Sequence, residues 1–162
     1  YKEFSSMSWV YSCGAGANYG TALESALKMG ETIHIPSCCY EIEEYIHGPN
    51  LQLTPQYNVI FFDGNDGASR RVEQVYKATR KVTNRAYLIS NNPQLSSDDH
   101  VLSLSDTVSS ELSPLVYLPF VQLLSFIVSN DLHSIYQHPL LKEFKAIAAA
   151  KTENFVNYDG DD

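Results

Sequence analysis

Hydrophobic and polar positions in this chain switch repeatedly between the two-residue period of a strand and the longer period of a helix. Residues 9–13 (WVYSC) form a short β-prone run that stops at Gly14-Ala15-Gly16, and residues 21–29 are rich in the helix formers Ala, Leu, Glu and Lys. That order predicts a strand, a glycine turn and a helix. Residues 32–35 are rich in β-branched side chains and end at Pro36, predicting a second strand; residues 41–46, cut off by Gly48-Pro49, predict a short helix. The run NVIFF at 58–62 has the continuous apolar character of a buried strand, closed by the turn sequence Asp63-Gly64-Asn65-Asp66-Gly67. Residues 68–83 predict an amphipathic helix with Val72, Val75, Tyr76 and Ala78 inward and Arg70, Arg71, Lys77 and Arg80 outward. Residues 86–90 and 101–104 add two strands around a polar loop at 91–99. Residues 114–128 predict a strongly apolar helix kinked at Leu118-Pro119. Strands alternating with helices at this spacing predict an α/β fold, a three-layer αβα sandwich around a mainly parallel five-stranded sheet.

Composition narrows the class. A chain of 162 residues, 44% hydrophobic, has enough apolar surface for one core and reads as a single domain. Its net charge is -8, and its 11 Lys and Arg form no basic stripe, which argues against nucleic acid and anionic membranes as partners. The apolar runs read as too short for a membrane span and the start carries no signal-peptide pattern, so a cytoplasmic protein is expected. Tyr1 in place of an initiator Met reads as a cut or processed start of a longer protein. Cys13, Cys38 and Cys39 are odd in number, and adjacent cysteines bridge each other only with strain, so three reduced, mostly buried thiols are expected.

Several residues could carry chemistry. Gly14, Gly16 and Gly20 make a GxG turn without the third glycine of a dinucleotide fingerprint; it reads as a tight strand-to-helix turn whose free N–H groups leave anion binding open. Glu24, Lys28 and Glu31 stand at i, i+4 and i+7 on one helix face. By spacing alone they are a solvated salt-bridge row, yet a carboxylate is unfavourable near a helix C-terminus, which hints at another role for Glu31. His47 precedes Gly48-Pro49 and reads either as a strut of that turn or as a proton carrier near neutral pH; His34 reads as strand packing. Neither histidine has a partner at metal-ligand spacing, and no serine elbow or cysteine nucleophile context appears, so no metal and no cofactor are expected. Lys142, Lys145 and Lys151 are solvated lysines by default, each able to close over a site.

Gly14-Ala15-Gly16-Ala17-Asn18-Tyr19 running into ALESALKMGE, then EYIHGP with sixteen positions from Glu31 to His47, resembles the second sugar-isomerase (SIS) domain of glucosamine-6-phosphate synthases and fructosamine-6-phosphate deglycases. The similarity runs from about Trp9 to Lys151. It implies a flavodoxin-like fold and proton transfer through an enediol or enaminol of a hexose phosphate or amino-sugar phosphate. By position it implies Glu31 as the base, His47 as a ring-opening histidine supplied across a subunit interface, and Lys28 beside the base. Lys151, in Ala150-Lys151-Thr152, matches the lysine of the synthase C-terminal loop, while Gln137-His138-Pro139-Leu140 is similar to the deglycase tail. Gly14, Gly16 and Asn18 are implied to contact substrate, and a homodimer or larger assembly is implied. The family's phosphate loop is hydroxyl-rich and lies in the first SIS domain; Gly64-Asn65-Asp66-Gly67-Ala68-Ser69 is not of that type. The chain is therefore expected to be the C-terminal half of a two-domain protein, acting as isomerase, deglycase, synthase half or non-catalytic phosphosugar-binding module.

Overall fold

The apolar run that ends in Asp63 lies at the centre of the sheet. In the computed structural model, which describes residues 2–104, 108–134 and 147, five strands run in parallel: β1 (Val10–Gly14), β2 (Ser37–Glu41), β3 (Asn58–Asp63), β4 (Ala86–Ser90) and β5 (Val101–Ser103). Their order is β2-β1-β3-β4-β5. Every residue of β1 and β3 is buried, as strands covered on both faces must be, whereas the edge strand β2 is only partly covered. The mainly parallel five-stranded sheet expected from the sequence is present, entirely parallel.

Helix α1 (Asn18–Ile33) and helix α4 (Ser113–Leu132) lie on one face of the sheet. Ala22, Met29 and Ile33 of the first and Tyr117, Val121 and Val128 of the second bury against Val10, Ile60, Phe62 and Ile89. On the other face, Ile42 and Tyr45 of α2 (Ile42–Ile46) and Val72, Val75 and Tyr76 of α3 (Ser69–Thr79) cover Tyr11, Cys13, Val59, Phe61 and Leu88. Alternate residues of each strand thus feed two separate cores, the period-2 geometry of a sheet.

Some expectations shift. Residues 32 and 33 are the end of α1, not a strand; Ile33 continues the buried stripe one turn beyond Met29. His34 then takes the left-handed conformation (φ 62°) that closes the helix, so it is a C-cap rather than a strand residue. Pro36 sits before β2 instead of ending a strand, and its carbonyl accepts from the Val10 N–H at 3.1 Å. On α3 the inward position is Thr79 and Ala78 faces solvent, because 72, 75, 76 and 79 share one side of the helix. The apolar helix is longer than its sequence signal, running through Leu132 with Pro119 inside it. At 20 residues and a mean hydropathy of 1.5 it has the length and composition of a membrane span, contrary to the shorter runs expected, yet it packs along α1 and over the sheet. Of the cysteines, Cys13 is buried, Cys39 partly buried and Cys38 exposed, and all three are free.

Candidate functional site

In a sheet of this order, the direction in which successive strands are added reverses between β1 and β3, and the crevice outside their carboxyl ends is where such folds take ligands. Here that crevice is built from the glycine turn and the loop after β3. Gly14 has no alternative: a Cβ on it would lie 2.4 Å from the Asn18 carbonyl oxygen. Gly16 is left-handed (φ +54°), and a Cβ there would come within 3.3 Å of Asp66 Oδ2.

Most polar groups around the crevice serve one another, with Asn91 Oδ1 buried and unpartnered among the described residues. Asn18, 1% exposed, donates from Nδ2 to Ser113 Oγ at 2.8 Å and accepts at Oδ1 from Thr21 Oγ1 at 2.9 Å, which ties the start of α1 to the start of α4. Asp63, fully buried, accepts from Ser90 Oγ (2.7 Å) and from the Asn65 N–H (3.0 Å), and its carbonyl accepts from Tyr117 Oη (2.7 Å). Tyr117 Oη accepts in turn from the Asn91 N–H, and burial pushes its pKa up to about 12. Asp66 accepts from the Ala68 N–H (2.8 Å), and its own N–H donates to Ser69 Oγ (2.6 Å). A carboxylate thus already occupies the entrance to α3, the position where an anion would be favoured. Asp63, Ser90 and Tyr117 were not singled out from the sequence. The available signal was a polar residue ending each of two buried apolar strands.

Glu31 lies elsewhere. It is thirteen positions along α1 from Asn18, about 20 Å at 1.5 Å per residue, toward the opposite edge of the sheet. Lys28 Nζ sits 2.7 Å from Glu31 Oε2 and 3.5 Å from Glu24 Oε1, so the predicted row exists as one linked set on the outer side of the helix. The Glu31 hydrogen bond is the main cause raising the Lys28 pKa, which keeps that ammonium charged. Half of the Glu31 side chain is exposed.

His47 caps α2, its N–H donating to the Glu44 carbonyl at 3.1 Å. Its Nδ1 lies 2.6 Å from the Glu43 carbonyl oxygen. A carbonyl only accepts, so Nδ1 carries the proton and Nε2 is the ring's acceptor. Arg71 grips Glu43 through two bonds of 2.6 and 3.1 Å, steadying this turn, and holds the Glu43 carboxyl below its usual range. α1 and α2 lie on opposite faces of the sheet, so Glu31 and His47 of one chain are not brought together. Lys151, the lysines at 142 and 145, and the 137–140 motif lie outside the described residues.

Other groupings serve the fold. An apolar cavity of about 440 Å³ between β4, β5 and α4 is lined by Ile89, Leu102, Phe120 and Leu124 among others and holds none of the candidate residues. Asp98, Asp99 and His100 cluster at the entry to β5, where Asp98 accepts from Tyr76 Oη and from the His100 N–H. Burial pushes the Cys13 thiol well up and Cys39 to about 11, so both stay protonated near neutral pH.

An all-parallel sheet of order 2-1-3-4-5, with helices on both faces and a glycine turn at the switch point, defines a flavodoxin-like α/β domain. Comparison with known sequences makes the class specific: residues 4–112 match the SIS domain family, and the chain belongs to that family. Among curated relatives, it is 31% identical over 131 residues to a glutamine–fructose-6-phosphate aminotransferase (isomerizing) of Methanothermobacter thermautotrophicus, a match covering 78% of this chain and 22% of the relative. Among solved structures it superposes on the C-terminal domain of the glucosamine-fructose-6-phosphate aminotransferase of Francisella tularensis (TM-score 0.71, 24% identity, 80% of this chain and 37% of that one). The tagatose-6-phosphate ketose/aldose isomerase of Escherichia coli gives 0.69 at 18% identity, covering 80% and 39%. The chain spans about a fifth of the length of the curated relatives it matches.

Proposed function

We infer that this SIS domain contributes half of a phosphosugar site whose other half comes from a second unit, and that the reaction is proton transfer through an enediol or enaminol of a hexose or amino-sugar 6-phosphate. The observation that carries this reading is the Glu24–Lys28–Glu31 row, presented on the outer surface of α1 within a chain of this family. Glu31 has the exposure and the neighbouring cation, Lys28 Nζ at 2.7 Å, that suit a carboxylate accepting a proton from the carbon next to a carbonyl or imine. His47, with its acceptor nitrogen set by the Glu43 carbonyl, is suited to moving a proton at the ring oxygen. Because the sheet separates the two within one chain, the His47 that serves a given Glu31 is assigned to a neighbouring subunit. Lys151 is assigned to the sugar's open-chain oxygen or imine, as the family resemblance implies.

The closed crevice supports the division of labour. Loop amides that would cradle a phosphate are bonded to Asp63 and Asp66, and a phosphate there would meet two carboxylates. The phosphate is therefore assigned to a partner unit, the proposal being that this domain is the C-terminal of two SIS domains. Gly14, Gly16 and Asn18 then shape the turn rather than touch substrate.

A second reading is a regulatory module that binds a phosphosugar without turning it over; the bonding of the Asn65 and Ala68 amides to Asp63 and Asp66 favours it to the extent that no partner unit completes the site. Turnover by the full-length protein with fructose 6-phosphate, glucosamine 6-phosphate and fructosamine 6-phosphates separates the two. Conversion of any of these is expected. Saturable binding of all three with no conversion would select the regulatory reading.

A further inference from the structure

The amino edge of the sheet carries a groove that the candidate site does not use. It has a volume of about 520 Å³ and is lined by Glu3, Ser6, Arg80, Asn84, Arg85 and His100, every one of them polar. The fold gathers these side chains from separate elements. Arg85 stands just before β4 and His100 just before β5, Arg80 follows the last residue of α3, and Glu3 and Ser6 belong to the turn Lys2–Ser6. The Glu31 end of α1 lies by β2, where Gly30 faces Ser37, three strands from β4 and so about 14 Å away across the sheet.

Among the described residues, two cations of this groove have no carboxylate within 4 Å, whereas Lys28, Arg71 and Lys77 lie 2.6–3.3 Å from theirs. Arg80 donates from Nη1 to the Asn84 carbonyl at 2.8 Å, and Arg85 donates from Nη1 to the Ser6 carbonyl at 3.3 Å. Acids outnumber bases 19 to 11 in this chain, so the arginines are not unpaired for want of carboxylates. The acids nearby are engaged with other groups. Glu3 accepts from Tyr87 Oη, Asp98 accepts from Tyr76 Oη and the His100 N–H, and Asp99 lies 2.8 Å from His100 Nδ1. A backbone carbonyl fixes each guanidinium in place yet leaves its charge uncancelled and most of its five N–H groups open to a further acceptor. Both arginines are half-buried, and two like charges partly withdrawn from water into one groove are unfavourable until an anion joins them.

We propose that this groove binds the phosphoryl group of a small molecule, held by the planar forks of Arg80 and Arg85 with the Asn84 amide beside them. Terminal phosphoryl oxygens match two such forks in both charge and geometry. His100, fixed by Asp99 and by stacking on Tyr87 at 5.4 Å, has Nε2 left as its remaining polar atom. The volume lies within the range of small-molecule pockets, about 300–1,000 Å³, so the groove has room for the organic part of a phosphate ester. The inference stands apart from the Glu31 and His47 reading, and failure of either leaves the other intact.

Titration of the ¹⁵N-labelled 162-residue chain with inorganic phosphate, followed through amide chemical shifts, tests it. A chain of net charge -8 does not gather anions non-specifically, so saturation reports a built site. Saturable shifts at residues 3–6, 80–85 and 100 are expected, with a Kd of about 0.1–1 mM. Arg80→Gln and Arg85→Gln should each weaken binding at least about tenfold. Arg70→Gln, at an exposed position on α3, should leave it unchanged. Fructose 6-phosphate separates the two sources of the phosphoryl group: tighter binding than phosphate at the same residues means an ester, and equal binding means that the phosphoryl group alone is read. Circular dichroism checks each variant, and the shift map of the parent decides the question if a variant fails to fold. Shifts that do not saturate by about 20 mM, that fall at residues 64–69 instead, or that survive both substitutions overturn the proposal.

Discussion

The carboxyl-edge crevice and the outer surface of the α1/α4 layer differ in how far each is finished within one chain. At the crevice, the Asn18 amide, the Asp63 carboxylate and the Tyr117 hydroxyl all have partners at 2.7–3.0 Å inside the same molecule. On the outer layer, large apolar side chains and a charged row stand exposed. A polar cluster whose carboxylates and hydroxyls are bonded to one another has less left with which to hold a ligand, whereas exposed apolar area beside charged groups gains free energy when something covers it. On the function proposed above, the usual ligand position of the fold is structural in this chain, and Glu31 and His47 need a second unit to form a site.

Substitutions can break that contrast at either end. The largest effect is expected from Glu31→Gln in the complete protein. The amide keeps the size of the carboxylate but accepts no proton, and turnover should fall about 10²–10⁴-fold with phosphosugar affinity changed by only a few fold. Steady-state rates with a binding titration check this; a variant keeping half of the parent's turnover would remove Glu31 as the base. At the crevice the expected loss is in stability instead. Gly14→Ala drives a methyl onto the Asn18 carbonyl, a backbone atom that cannot swing aside, and should cost about 3 kcal/mol or more in denaturant unfolding. Tyr117→Phe is the mildest test. It leaves the Asp63 carbonyl and the Asn91 N–H without their shared hydroxyl, an expected loss of about 1–3 kcal/mol, and through stability alone, with turnover per folded molecule unchanged. A selective loss of turnover in Tyr117→Phe would put the crevice back into the chemistry.

The sheet was legible in the sequence where apolar runs are continuous, as at 58–62, because a strand buried on both faces leaves no other pattern. It was misread at 32–35, where β-branched Thr32 and Ile33 outweighed the helical period that Met29 and Ile33 complete against the sheet. Length misled at α4: the polar residues Ser129, Asn130 and Asp131 end the apolar signal, yet Ser129 returns its hydroxyl to the Phe126 carbonyl within the helix, so it runs on to Leu132. The Glu24–Lys28–Glu31 row was readable from helical spacing. The Asp63–Ser90–Tyr117 network was not, since its members lie on separate elements that only the sheet order brings together. Exposure was equally hidden: Leu23 and Leu27 look like core residues in a list, and only the packing shows that α1 turns Ala22, Ser25, Ala26 and Met29 inward instead.

The claim that Glu31 works with the His47 of a neighbouring chain is tested most directly by complementation. Glu31→Gln and His47→Ala forms of the complete protein, each inactive alone, are mixed in equal amounts under conditions of proven subunit exchange. Half of the resulting dimers are mixed, and in each of those one of two shared sites pairs an intact Glu31 with an intact His47. Recovery of about a quarter of the parent activity is therefore expected for a two-fold assembly. No recovery despite exchange, together with a loss of stability in His47→Ala, would make His47 a strut of the Gly48-Pro49 turn and contradict the shared site.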